Sequence, residues 1–304
     1  MRNKKILILG GQGFIGQNLA IKLIKNGFDV NVFEKNIIES RKLLGCNYIS
    51  GDFSNIEDYS EMFEDVDVVV HLISTTKPNN IMEQVVFDIE TNLLNTVKML
   101  NICVKKQVKK VIFPSSGGTI YGLTKDFPTK ESAPKNPICA YGINKLAIEK
   151  YLYMYKELYN LDYATLRLTN PYGPYHVAKN QGVIDVFINK ILSGEQIEIW
   201  GDGSISRDYI FIDDVIDAFM AVIEKTSDEK IFNISSGKAV SLKQIIDILH
   251  EVMTEKIDVK YLSARNIDIP ISCLDNSLAS LALGWSPKTD LRTGIIETID
   301  YYRQ

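Results

Sequence analysis

The sequence carries a tyrosine and a lysine four residues apart, Tyr141 and Lys145 in "YGINK". On a helix that spacing sets both on one face. A phenol with an ordinary pKa near 10 is a poor base at neutral pH. A lysine ammonium one turn away favours the phenolate. Together they make a general base and its electrostatic partner. Such a pair also arises by chance on surface helices, so its position matters more than its presence. Upstream, "PSSGGTIYG" (114–122) ends the apolar run Val111, Ile112, Phe113. Its hydroxyls stand at the carboxyl end of a buried strand, as a plain turn or as one wall of an active site.

A second chemical feature lies at the start of the chain. The apolar run Ile6–Leu9 leads into "GGQGFIG", with Gly10, Gly13 and Gly16 spaced as GxxGxxG. Glycines between a strand and a helix let the backbone approach a pyrophosphate, and the helix N-terminus offers free N–H groups and a positive dipole end. A glycine triplet alone is weak, but this one follows a strand pattern and opens an amphipathic helix with Phe14 and Ile15. The next strand ends at Glu34, where a carboxylate can hold both ribose hydroxyls and repel a 2′-phosphate. NAD is therefore expected over NADP, with Lys35 pulling the other way. Asp52 in "ISGDFSN" suits either the adenine amine or a helix N-cap.

These groups need a scaffold, and the chain supplies one. Val- and Ile-rich runs at 5–9, 28–33, 67–73 and 109–113 alternate with helical patterns. Longer helices are predicted over 82–106 and 139–160. Strand and helix alternating at this pace indicate βαβ units, hence an α/β fold with a Rossmann-type doubly wound parallel sheet. After "LRLTNPYGP" (166–174) the rhythm breaks. Helices are predicted near 182–193, 213–225 and 241–254, with short strands at 197–200 and 209–212, forming a smaller mixed α/β portion. With 304 residues the chain can bury a large core. A net charge of −4 and a pI near 5.6 argue against a nucleic-acid or anionic-membrane surface. The four cysteines form no CxxC pair, and the three histidines are isolated, so no metal site is expected. Reduced thiols and the lack of a membrane-length apolar run point to the cytoplasm.

Taken together the motifs resemble the extended short-chain dehydrogenases/reductases of the nucleotide-sugar epimerase/dehydratase family, closest in pattern to UDP-glucose 4-epimerases. The likeness runs nearly end to end: GxxGxxG, "GD" at 51–52, "VVVHLIS" at 68–74, "TNLLNT" at 91–96, "SSGGTIYG", "YGINK", "LRLTNPYGP", "IWGDGSISRDYIFIDDV" at 199–215, "FNISSG" at 232–237 and "GWSPKTDL" at 284–291. It implies bound NAD, a nucleotide-diphosphate sugar substrate and a homodimer made through the two long helices. It also implies an NAD-binding unit of residues 1–170 with 208–235, and a nucleotide-sugar unit of 171–207 and 236–304. Cofactor contacts are expected from Gly10, Gly13, Phe14, Ile15, Gly16, Glu34, Asp52, Phe53, Leu72 and Asn92, with Tyr141 and Lys145. Asn170 matches a residue that contacts the sugar diphosphate. Arg207 and Arg265 match the arginines that clamp it, and Asp268 matches a nucleoside-side acid.

Three departures from the family pattern stand out. Asn95 replaces a frequent glycine. Leu72, Ile73 and Ser74 replace "LAA" on the nicotinamide wall. Gly117 stands four residues before Tyr121, where relatives carry a catalytic Ser or Thr, so the hydroxyl must come from Ser116, favoured because it adjoins the gap, from Thr119 second, or from a water. The expected activity is an NAD-dependent nucleotide-sugar 4-epimerase. The alternatives are a 4-keto nucleotide-sugar reductase using NAD(P)H and a dinucleotide-binding sensor without catalysis. Ser272, small at a position that restricts the family's sugar pocket when bulky, leaves room for an N-acetylated sugar.

Overall fold

The structure, a computed structural model, describes residues 3–76, 84–124, 126–176, 181–263 and 270–304. The first half runs β1 (Lys5–Leu9), α1 (Phe14–Lys25), β2 (Asp29–Glu34), β3 (Cys46–Ser50) and, after the 3-10 segment Phe53–Phe63, β4 (Val68–His71). Then come α2 (Val85–Asp88), a π-helical turn (Ile89–Leu94), α3 (Asn95–Lys105), β5 (Lys110–Ser116), α4 (Gly117–Ile120) and α5 (Ala140–Tyr159). The second half contributes β6 (Asp162–Leu168), β7 (Asn170–Tyr172), α6 (Val183–Leu192), β8 (Ile197–Trp200), β9 (Ser206–Phe211), α7 (Ile212–Glu224) and β10 (Ile231–Ile234). It ends with β11 (Ala239–Ser241), α8 (Leu242–Val252), β12 (Val259–Leu262), β13 (Ile271–Ser272), α9 (Ser277–Leu283) and α10 (Leu291–Tyr302).

Among the described residues the main sheet has seven strands in the order β10-β6-β5-β4-β1-β2-β3, all parallel. Helices on both faces explain its apolar strands: Ile6, Leu7, Ile8 and Leu9 are all 0% exposed. Strand order reverses between β1 and β4, which opens a crevice at their carboxyl ends, the usual ligand position in such sheets. A smaller sheet orders β11-β9-β13, with β7 also on β9, and β12 pairs β8 separately. Of residues 208–235, β10 joins the main sheet beside β6, α7 leans on α1 through Lys22–Asp217 (3.0 Å), and β9 pairs in the small sheet.

Two predicted elements differ in detail. The helix predicted over 82–106 is interrupted by the π turn at 89–94, which carries Asn92. A π turn holds an extra residue per turn and often marks a functional site. The strand ending in "VIF" runs on to Ser116, because β6 pairs it as far as Ser116–Leu168. No described helix is long and apolar enough to cross a membrane.

Candidate active site

The glycine turn at the end of β1 is built for close approach. Gly10 has φ +88°, a left-handed conformation that glycine adopts without a Cβ penalty. A Cβ on Gly16 would stand 2.4 Å from the Gly10 carbonyl oxygen, so only glycine lets α1 lie this close to the turn. Gly13 is the N-cap, no side chain caps the helix, and its first turn has no acid, leaving the positive end open to an anion. Phe14 stacks on His176 at 4.4 Å, and Ile15 packs on the core.

Glu34 closes this turn from β2. Its Oε1 accepts from the Gln12 N–H at 2.6 Å, and burial raises its pKa against the pull of that N–H and of Arg41. Gln12 in turn clamps Ile38 in both directions, Nε2 to its carbonyl (3.0 Å) and Oε1 from its N–H (2.7 Å). Asp52 caps the following 3-10 segment through Ser54 N–H and pairs with Lys35 at 2.6 Å, which pulls its pKa down to about 2. Its carboxylate is therefore engaged in capping and pairing, and Lys35 is drawn to it. Phe53 is a core residue with its ring 5.0 Å from His71, and Leu72 packs against the core with its N–H on the Leu9 carbonyl (2.8 Å). This glycine cradle, open helix end and carboxylate fit a dinucleotide's pyrophosphate and ribose.

Tyr141, Lys145 and Asn92 line one pocket with His71, Ile73, Ser74, Asp88, Phe113 and Asn144. Tyr141 sits in the first turn of α5, with Lys145 and then Glu149 one and two turns on. The Lys145 ammonium donates to the Pro114 carbonyl (3.0 Å) and lies 4.4 Å from the Phe113 ring and 5.5 Å from the Tyr141 ring. Burial brings its pKa down to about 8, opposed by Asp88 and Glu149. Burial pushes Tyr141 up to about 12, reinforced by Asp88 and Cys139. In the chain by itself, burial thus keeps Tyr141 a neutral phenol at pH 7. The Asn144 Nδ2 is buried in this pocket with no hydrogen-bond partner among the described residues.

At the hydroxyl wall the space beside Gly117 is occupied. A Cβ on Gly117 would meet Leu274 Cδ1 at 2.2 Å, so a neighbouring side chain fills the place a serine there would need. Ser116 ends β5 and precedes α4 without capping it. Thr119 packs against Gly142, the residue after Tyr141, and its Oγ1 is buried without a partner. Gly117, Gly118, Ile271, Ser272 and Leu274 line a second pocket. Arg207 stands in register with Ser272 on β9, and Asn170 spends its amide on the Asp208 carbonyl (2.8 Å). Arg265 and Asp268 lie outside the described residues.

Sequence reasoning missed two supports. Arg167 and Glu149, each 2% exposed, form a bidentate pair (3.0 and 2.6 Å) that ties α5 to β6. Arg167 also donates to Tyr121 (2.8 Å), whose hydroxyl donates to Asn233 (2.7 Å). The signal was a lone arginine inside the apolar run "YATLRL" and an acid in line with Tyr141 and Lys145. Asp88 gave no such signal.

Residues 6–235 match the NAD-dependent epimerase/dehydratase family. The UDP-glucose 4-epimerase of Mycolicibacterium smegmatis is 30% identical, covering 98% of each chain. A dTDP-4-dehydro-6-deoxyglucose reductase of Escherichia coli is 31% identical, over 99% of this chain and 98% of its own. The crystal structure of the Thermotoga maritima UDP-glucose 4-epimerase with UDP-glucose superposes with a TM-score of 0.93 at 34% identity, covering 98% of both chains. The chain belongs to the NAD-dependent epimerase/dehydratase family and is an NAD-dependent enzyme of the extended short-chain dehydrogenase/reductase type.

Proposed function

We propose that this enzyme is a nucleotide-sugar 4-epimerase acting on a UDP-sugar. The observation that carries the reading is the single pocket that Tyr141, Lys145 and Asn92 share. NAD, when bound, supplies the acceptor and later the donor of a hydride. Tyr141 takes the proton of the sugar 4-hydroxyl as that carbon becomes a ketone, and returns it when the opposite face is reduced. The Lys145 ammonium supplies the fixed positive charge that a phenolate needs in so buried a place. Thr119 or Ser116 donates a hydrogen bond to the same sugar oxygen. Arg207 and Arg265 grip the diphosphate, while the sugar is held loosely enough to turn over. The main sheet with its helices is the cofactor-binding unit, and the segments of the small sheets hold the nucleotide sugar. The enzyme is read as a cytoplasmic homodimer. Purified protein given UDP-glucose without added cofactor is expected to form UDP-galactose with no net change in NADH. Absence of any 4-epimer across UDP-, dTDP- and GDP-sugars refutes the reading.

A second reading, a 4-keto nucleotide-sugar reductase, is favoured by the likeness to the Escherichia coli reductase. It requires stoichiometric consumption of reduced cofactor, which the same incubation with NADH and a 4-keto sugar measures.

A further inference from the structure

The catalytic pocket contains a buried carboxylate to which the roles above give no task. Asp88, 3% exposed at the end of α2, faces the same cavity as Tyr141, Lys145 and Asn92. Its Oδ1 accepts from the Thr76 hydroxyl (2.9 Å) and from Asn92 Nδ2 (2.7 Å). An ionised carboxylate only accepts hydrogen bonds, so it forces the NH₂ end of the Asn92 amide toward itself. The Asn92 Oδ1 is thereby turned to the Thr75 N–H (3.0 Å), fixing the chain that leaves β4.

The same anion decides the charge of the pocket. The groups facing Lys145 are Tyr141 and Glu149 on its own helix, His71 from β4, and Asp88. Burial drives His71 down to about 3, so it is neutral. Glu149 is engaged by Arg167. Asp88 is left as the anion that opposes desolvation of the ammonium, and it also disfavours the Tyr141 phenolate.

We propose that Asp88 is a positioning residue, the fixed counter-charge that locks the Asn92 amide in one orientation and keeps Lys145 an ammonium in its buried site. The proposal rests on the reading of Tyr141 and Lys145 as base and partner. Removing the anion releases protons from both groups at lower pH. The test is a carbon-13 NMR titration of the full-length, NAD-loaded chain labelled at lysine Cε and tyrosine Cζ, with Tyr141→Phe and Lys145→Met assigning the two signals. Asp88→Asn is expected to move both midpoints down by about one pH unit. Asp88→Glu, which keeps the charge, is expected to leave the Lys145 midpoint near its parent value. Asp88→Ser replaces Asp88→Asn should the latter not fold. The alkaline limb of kcat should follow the Lys145 midpoint, with KM for the UDP-sugar within about twofold. Unmoved midpoints in a folded neutral variant overturn the proposal. The titration uses no substrate: shifted midpoints without epimer formation refute only the 4-epimerase reading, and epimer formation with unmoved midpoints refutes only the counter-charge.

Discussion

Gly117 occupies the place where a hydroxyl was expected, and the end of the Leu274 side chain lies in the space beside it. In the proposed reaction, hydrogen bonding to the sugar oxygen then falls to a neighbour. Thr119 has the stronger structural support, since its buried Oγ1 lacks a partner and its Cβ lies against the first turn of the catalytic helix. Thr119→Val is expected to lower kcat by about 10²-fold, with Ser116→Ala costing less than tenfold, measured on the same UDP-sugar. The reverse ranking would assign the role to Ser116, and two silent variants would leave it to a water. Tyr141 was readable from sequence because its partner is four residues away. Asp88 was not, because its relation to Lys145 exists only after α2 and α5 face each other.

The catalytic helix is held by charge as well as by packing. Tyr141, Lys145 and Glu149 follow one another at single-turn intervals, and Arg167 grips the last of them from β6. Removing one member of a buried pair strands the other charge, which costs about 3–5 kcal/mol. Arg167→Met is therefore expected to destabilise by that order in urea denaturation, and Arg167→Met with Glu149→Leu to recover most of it. A single variant as stable as the parent would show that the pair contributes nothing. Strands β1, β2, β4 and β5 were legible from their apolar runs and α5 from its helical pattern, whereas the half-exposed β3 offered no such run. The π turn was not: one extra residue in a turn barely disturbs a helical pattern over so short a stretch. The small sheet was only half legible, because β7, β11 and β13 are two or three residues long and too short to show a period.

Along α2, the π turn and α5 the surface is unusually apolar. Phe87, Leu94, Tyr153, Leu158 and Tyr159 are each between 48% and 65% exposed. Exposed apolar side chains are what the proposed homodimer through the long helices would cover. On that proposal, size-exclusion chromatography with light scattering is expected to give a dimer for the parent and a monomer for Leu158→Glu, and a dimeric variant would place the interface elsewhere. A different consequence follows from strand β10. It enters the main sheet beside β6 only after the chain has gone out through β7, β8 and β9. It also brings Asn233, whose side chain receives the Tyr121 hydroxyl and reaches the Thr129 and Asp275 carbonyls. During synthesis, then, the first 230 or so residues can emerge with the sheet still one strand short and the Arg167 network open. Residues 171–207 therefore lie between two neighbouring strands of the main sheet, and that sheet cannot be completed until they have been made.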